Sequence, residues 1–331
     1  MSRHHRQISH VIRRSVPVAL VLALAAQPGI ALAQDAQAAA STAPAADETP
    51  MQDIVVVGTA GGGSRRQDAA FAVTTVDAKA IAQLAPASTA EVLRLVPGVS
   101  TESSGGQNGA NIFVRGYPSG GDAEYVTIES QGVPIFPPPT LSFLENSQLI
   151  RIDETLKRVE AVRGGTGALF SSGQPGLTIN FVQREGTQDF GGLLKLSGTT
   201  FGELRADGYV SGPLGKDTTF MVGGYYAAGH GLRDPQFTAE KGGQITANIH
   251  HDFDRGSLTV YGRYLNDHGQ WLLTAPVVQN GDKISAYPGF DARKDTLAGN
   301  ETRLGVLNDG TRVDLADGRG ANIVNLGGNF D

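Results

Sequence analysis

Asn111-Ile112-Phe113-Val114-Arg115-Gly116-Tyr117 is the run that decides how this chain is read, because two further runs repeat its pattern. They are Arg158-Val159-Glu160-Ala161-Val162-Arg163-Gly164-Gly165 and Gly176-Leu177-Thr178-Ile179-Asn180-Phe181-Val182. Each is a short β-branched or aromatic stretch punctuated by glycine, the pattern of compact strands joined by tight turns. Residues upstream of 112–186 read as delivery and coupling segments, and residues downstream as a membrane wall.

The chain has 331 residues with 40% hydrophobic content, enough to bury a core in one to three domains. Its formal net charge of -6 gives no basic patch, which argues against a nucleic-acid partner. It contains no cysteine, which removes disulfides, thiolate nucleophiles and thiolate metal ligands. Arg3, Arg6, Arg13 and Arg14 precede an apolar run at 16–26, and Ala31-Leu32-Ala33 offers small residues to a signal peptidase. Residues 1–33 therefore read as a cleaved signal peptide, since the apolar run is too short to span a bilayer as a helix.

Residues 34–52 are rich in alanine, threonine and proline and read as a flexible tether. Next comes Asp53-Ile54-Val55-Val56-Val57-Gly58, a β-prone pentad between polar flanks, with 59–68 as a linker. Two readings are open for 53–58. With no local partner it is suited to adding itself to another protein's sheet edge, or it is an edge strand of the following domain.

Residues 71–76 read as a strand. Ser88-Thr89-Ala90-Glu91 is a capping box, and the helix after it places Val92, Leu95 and Val96 on one face until Pro97-Gly98 stops it. Tyr125-Val126-Thr127-Ile128 reads as a further strand. Residues 134–143 hold four prolines among Ile135, Phe136, Leu141 and Phe143, which predicts an irregular stiff loop presenting apolar rings.

Beyond Phe190 the period changes. Leu204, Ala206, Gly208 and Val210 alternate with Glu203, Arg205, Asp207 and Tyr209, and the same rhythm returns over 219–226, 244–253 and 258–263. Strands of about ten residues, apolar on one face and polar on the other, are the signature of a transmembrane β-barrel. A soluble antiparallel sandwich alternates in the same way. The export signal, the charged inward face and the tyrosines near strand ends favour the membrane.

Enzyme-like features are weak. Gly212-Pro213-Leu214-Gly215-Lys216 is followed by Asp217 where a phosphate loop needs Ser or Thr. His250 and His251 are adjacent on a strand, so they face opposite sides and cannot share a metal. No Ser/His/Asp set has local support. The chain reads as a non-enzyme that calls for no catalytic residue, no cofactor and no metal.

Taken in order, these residues resemble the TonB-dependent receptors of the Gram-negative outer membrane. Residues 53–57 look like a TonB box. Leu93-Arg94-Leu95-Val96-Pro97-Gly98-Val99, the Ile112 to Tyr117 run, the Val159 to Phe170 run and the Leu177 to Val182 run match the landmarks of the plug domain in sequence. Two positions depart from the family pattern: Gln131 stands where an aspartate is usual, and Gly165 where a proline is usual. The resemblance implies an α+β plug over 69–186, a small mixed sheet with short helices, followed over 187–331 by the start of an antiparallel transmembrane β-barrel. In the family the plug fills the lumen of a barrel of about 22 strands.

The resemblance also implies function. Asp53, Ile54, Val55, Val56 and Val57 would bind TonB, which the inner-membrane ExbB/ExbD complex drives with the proton-motive force. Arg115, Gly116, Glu160, Arg163 and Gly164 are plug landmarks. Gln107, Asn108, Phe136 and Phe143, in the polar loop 101–109 and the proline loop, are the ligand-facing candidates. The expected activity is active import of a scarce small extracellular solute, of siderophore or carbohydrate class, by a protein embedded in outer-membrane lipid. An extra signalling domain before the box is not expected, because residues 34–52 are too few to bury a core.

Residues 190–331 leave room for only about six membrane strands at roughly 25 residues per strand and loop. An open sheet of that size would turn unpaired edge groups toward lipid. A closed barrel of about eight strands is filled by its own side chains and has no room for a plug. The sequence therefore reads as a C-terminally incomplete receptor, with Asn329-Phe330-Asp331 at the start of a strand. The alternative functional reading is accordingly a fragment without transport activity of its own, or a plug-only binding module.

Overall fold

The computed structural model describes residues 54–55, 64–65, 72–86, 88–103, 109–117, 125–135, 146–164, 176–231, 238–269, 275–292, 295, 304–306, 309–314 and 319–330. All of them lie in the compact unit Met51–Asp331.

Two short strands come first, β1 (Ile54–Val55) and β2 (Ser64–Arg65), paired antiparallel with each other. Neither of the two open readings describes it: Ile54–Val55 is partnered, but by Ser64–Arg65 in a two-stranded sheet of its own rather than at the edge of the following domain's sheet.

The plug follows. Strand β3 (Ala72–Asp77) runs into helix α1 (Ala78–Leu84), then α2 (Thr89–Leu93), β4 (Val99–Glu102), β5 (Asn111–Val114), β6 (Val126–Ser130) and β7 (Val133–Ile135). A 3-10 turn (Asn146–Leu149), β8 (Leu156–Arg163) and β9 (Leu177–Gln183) complete it. The main sheet has the order β3-β8-β9-β6-β7 and is mixed: β6 runs parallel to β9 while the other neighbours are antiparallel. The β4-β5 hairpin forms a separate two-stranded sheet.

Both helices begin as their sequences dictate. The Ser88 hydroxyl accepts from the Glu91 backbone N–H at 3.3 Å, and the Asp77 carboxylate accepts from Ala80 N–H at 2.7 Å. Helix α2 stops at Leu93, earlier than the apolar spacing suggested. Leu93 is therefore buried beside Val92 and Val96, and Leu95 turns outward.

The plug turns depend on left-handed backbone. Arg115-Gly116 closes behind β5 with φ of 47° and 82°, and Tyr117 N–H reaches Val114 O at 2.9 Å. Gln131-Gly132 joins β6 to β7 with φ of 55° and 79°. Two consecutive positive-φ residues match the twist of the strands they join, with glycine second at no steric cost. Gln131 occupies the position where the family favours aspartate, and its amide oxygen accepts from Gln183 N–H at 2.7 Å, which offsets the strain. The proline loop is not wholly irregular, because Pro134 lies inside β7. That strand is an edge of the sheet, where a missing N–H is tolerated.

One face of the sheet and the helices enclose a single apolar cluster, with Val159, Ile179 and Phe181 fully buried among Val92, Leu93, Ile112, Ile128 and Ile150.

The wall is one antiparallel sheet of six strands in the order β10-β11-β12-β13-β14-β19. These are β10 (Gly191–Gly198), β11 (Leu204–Pro213), β12 (Thr218–Gly229), β13 (Glu240–Phe253) and β14 (Gly256–Gly269). Two small hairpins, β15 (Val277–Asn280) with β16 (Lys283–Ala286) and β17 (Leu304–Val306) with β18 (Arg312–Asp314), precede β19 (Arg319–Phe330). Asn329 and Phe330 close a strand of 12 residues paired with β14 along its length, rather than starting one.

The turns at 214–217 and 254–255 lie at one rim of this sheet and the turn at 199–203 at the other. Leu194, Leu196, Leu204, Val222, Ile245, Ile249, Val260 and Leu326 all stand exposed on the outward face. Met221, Thr246 and Leu265, of opposite parity, are fully buried on the inward one.

Candidate functional site: the plug seated on the wall

Residues 147–155 carry the plug onto the inward face of the wall. Arg151 extends its guanidinium to Asp267 of β14, with Nε donating to Oδ2 at 2.6 Å and Nη2 to Oδ1 at 3.1 Å. The same carboxylate accepts from the Tyr225 hydroxyl of β12 at 3.0 Å. Both side chains of the ion pair are nearly excluded from solvent. Gln244 of β13 bridges the layers: its amide nitrogen donates to Asp153 Oδ2 at 2.8 Å and to Arg151 O at 3.2 Å. Its oxygen accepts from Arg263 Nη1 at 3.0 Å.

Much of the remaining contact goes to plug backbone. Arg263 donates to Leu149 O at 2.7 Å, Arg205 to Ile152 O at 2.6 Å and Asn248 to Arg184 O at 2.7 Å. Tyr261 reaches Ser130 O at 3.4 Å and Asn329 reaches Gln131 O at 3.2 Å. A polar wall thus supplies donors for carbonyls that the plug's own strands leave unpaired, since a buried carbonyl without a donor is costly. Arg205 is oriented in turn by Asp207 at 2.6 Å and lies 4.0 Å from the Tyr225 ring centre. Burial pushes the Asp153 carboxyl upward, against the hydrogen bonds from Thr155 and Gln244 and the charge of Arg205 that pull it down.

A cavity of about 250 Å³ lies between α1 and the inward faces of β10 and β11, bordered by Ile81, Glu154, Leu156, Lys195 and Glu203. Lys195 crosses beside it to Glu154 at 2.9 Å.

The plug landmarks gather in two places. Arg115, Arg163 and Gly164 meet at the end of the sheet: Arg163 donates to Pro97 O and, at 3.1 Å, to the Thr74 hydroxyl. A Cβ on Gly164 would come within 3.2 Å of an Arg115 guanidinium nitrogen. Partial burial and then the neighbouring Arg115 charge lower the Arg163 pKa. Glu160 stands apart in the sheet, fully buried, accepting from Arg158 Nε at 2.6 Å and Asn180 Nδ2 at 3.1 Å. Gly116 closes the turn already described.

Ile54 and Val55 lie in β1. Asp53, Val56, Val57, Gln107, Asn108, Phe136 and Phe143 lie outside the described residues. Among the described residues, no group of three or more His, Cys, Asp or Glu is placed to hold a metal.

Arg151, Asp153, Gln244, Arg263 and Asp267 were not singled out by sequence. The available signal was parity: Arg151 and Asp153 alternate with Ile150 and Ile152, and Asp267 shares the inward parity of Arg263.

The family model described as TonB-dependent Receptor Plug Domain matches residues 65–178. Residues 65–178, about a third of the chain, carry the plug domain of the TonB-dependent receptors. Curated relatives include a ferric-pyoverdine 358 receptor of Pseudomonas putida, 28% identical over 143 residues. That match covers 42% of this chain and 16% of the relative. A hemin receptor of Yersinia pestis is 32% identical over 130 residues, covering 39% of this chain and 18% of the relative. The chain therefore spans less than a fifth of the length of these relatives.

Among solved structures, the outer-membrane ferripyoverdine receptor of Pseudomonas aeruginosa bound to ferripyoverdine superposes with a TM-score of 0.54 at 21% identity. It covers 65% of this chain and 27% of that one. At that identity the likeness establishes the fold: a TonB-dependent receptor plug followed by antiparallel strands like the start of the receptor barrel. The family is one of receptors and transporters rather than enzymes.

Proposed function

We propose that this chain forms the plug and first wall strands of an outer-membrane receptor that imports an iron chelate when TonB acts on residues 53–57. The observation that carries the reading is the seating of a family-matched plug on the inward, polar face of a sheet whose outward face is apolar. The names of the relatives, receptors for ferric pyoverdine and hemin, favour an iron-chelate or haem ligand over the carbohydrate class. On this account the extracellular apices bind ligand, and the signal peptide delivers the chain to the periplasm.

TonB would engage the box by strand addition, in which main-chain hydrogen bonds supply affinity. The pairing of Ile54–Val55 with Ser64–Arg65 occupies one edge of the same backbone, so β2 is the strand that TonB displaces or extends. Val55→Pro removes a backbone donor that strand addition requires. In energised cells making the receptor, cell-surface binding of radio-iron-loaded pyoverdine or haemin is expected to persist. Accumulation falls to the level of cells without a proton-motive force. Ser64→Pro, which disturbs only the internal partner, leaves accumulation intact. Normal accumulation by the Val55→Pro receptor contradicts the assignment of the box.

A further inference from the structure

The second face of the plug sheet carries a polar row that the interface with the wall does not explain. Cross-strand register aligns Thr75 of β3, Glu160 of β8, Asn180 of β9 and Glu129 of β6. Both glutamates and the asparagine are fully buried. Glu160 is provided for by Arg158 and Asn180. The Asn180 amide is also committed on its other side, because its oxygen accepts from Gly132 N–H at 2.9 Å. Glu129 is left with neither carboxylate oxygen hydrogen-bonded.

An ionised carboxylate without a donor in a dry interior is among the costliest groups a fold can hold, and it is relieved most directly by taking up a proton. The surroundings of Glu129 agree. Among the described residues, β9 faces it with Asn180 and Thr178, β7 with Pro134, and β8 with the like-charged Glu160, whose Arg158 partner is already engaged. Among the described residues, no side chain donates a hydrogen bond to either oxygen of Glu129.

We propose that Glu129 is a proton-binding site of the plug, holding a proton while β6 is paired with β9 and surrendering it when the two strands part. Opening of the plug at β6 is then linked to proton release, so acid seals the plug and alkali loosens it. The inference rests on the reading of this domain as a plug that must loosen, yet its test does not depend on transport.

Burial, followed by the charge of Glu160, pushes the Glu129 carboxyl from 4.5 up to about 7. Because the folded value lies above the unfolded one, the contribution to stability is full below pH 4.5 and is lost as pH rises to about 7.

Hydrogen exchange read by mass spectrometry on the full chain in detergent tests this, with the peptide covering 126–130 as reporter. At pH 8 the Glu129→Gln variant, permanently neutral, is expected to protect that peptide on the order of a hundred-fold better than the native chain. At pH 5 the two agree within a few-fold. Equal protection at both pH values overturns the proposal, as does lower protection in the variant at both, which marks a purely structural role. If the variant does not fold, the native chain decides alone. Protection of 126–130 relative to the wall strand β13, corrected for intrinsic exchange, must fall between pH 5 and pH 8. A flat ratio overturns the proposal.

Discussion

Truncating Asp267 to alanine is expected to release the plug from the wall without unfolding either. Asp267 lies on β14, outside the plug, so any change in the plug must pass through the interface. Its carboxylate is the partner of the buried Arg151 guanidinium and the acceptor for Tyr225. Removing it leaves a desolvated cation without a counter-charge, a change that costs about 3–5 kcal/mol. The double variant Arg151→Met with Asp267→Leu removes both charges, and such replacements of buried pairs are often neutral or stabilising. Protease sensitivity of the plug in otherwise intact receptor measures this: the single variant is cut rapidly, and the double variant resists like the native protein. Equal resistance of the single variant would show that the ion pair does not hold the plug.

Phe181→Ala attacks the plug from within. Phe181 is fully buried at the centre of β9, between β8 and β6 and facing the apolar cluster. Its loss leaves a cavity that surrounding strands cannot fill, at about 3–5 kcal/mol for a Phe-to-Ala change. That is a large part of the roughly 5–15 kcal/mol that stabilises a typical domain. The expected result is collapse of hydrogen-exchange protection in β6, β8 and β9, while β12 and β13 of the wall keep theirs. Phe181→Leu, which refills most of the volume, recovers most of the protection. A uniform loss across plug and wall would contradict two separately stabilised layers.

These two sites differ in how far the sequence announces them. Phe181 stands in an alternating run whose glycine boundaries and β-branched residues mark a strand from local pattern alone. The wall strands are equally legible, because Leu204, Val222, Ile245 and Val260 repeat at period two and land on the outward face. Helix α1 was missed because Ala78–Leu84 buries only Ile81, too little to set a helical period. Strand β10 is hidden for a related reason. Leu193, Leu194 and Leu196 put apolar residues on both faces of a strand at the edge of the sheet, erasing the alternation. The box looked unpartnered because Ser64–Arg65 has no strand signal of its own.

The seating of the plug was the least legible feature. Arg151 and Asp267 lie 116 residues apart, and only the register of five strands brings them together. Gln131 shows the converse. Its departure from the family's aspartate was visible at once, but the Gln183 contact that compensates for it depends on the parallel β6-β9 pairing.

The central claim is that this sheet is a membrane wall with lipid on one face and the plug on the other. This chain has no cysteine, so single cysteines placed in it carry spin labels in a receptor from which any cysteine elsewhere has been removed. Labels at Val222, Ile249 and Val260 report the outward face, and labels at Met221 and Thr246 the inward one. In receptor-containing outer-membrane vesicles, oxygen dissolved in the bilayer is expected to relax the outward labels strongly while a water-soluble nickel chelate does not reach them. The inward labels, covered by the plug, respond weakly to both. Free access of the nickel chelate to Val222, Ile249 and Val260 would place both faces in water and contradict the account.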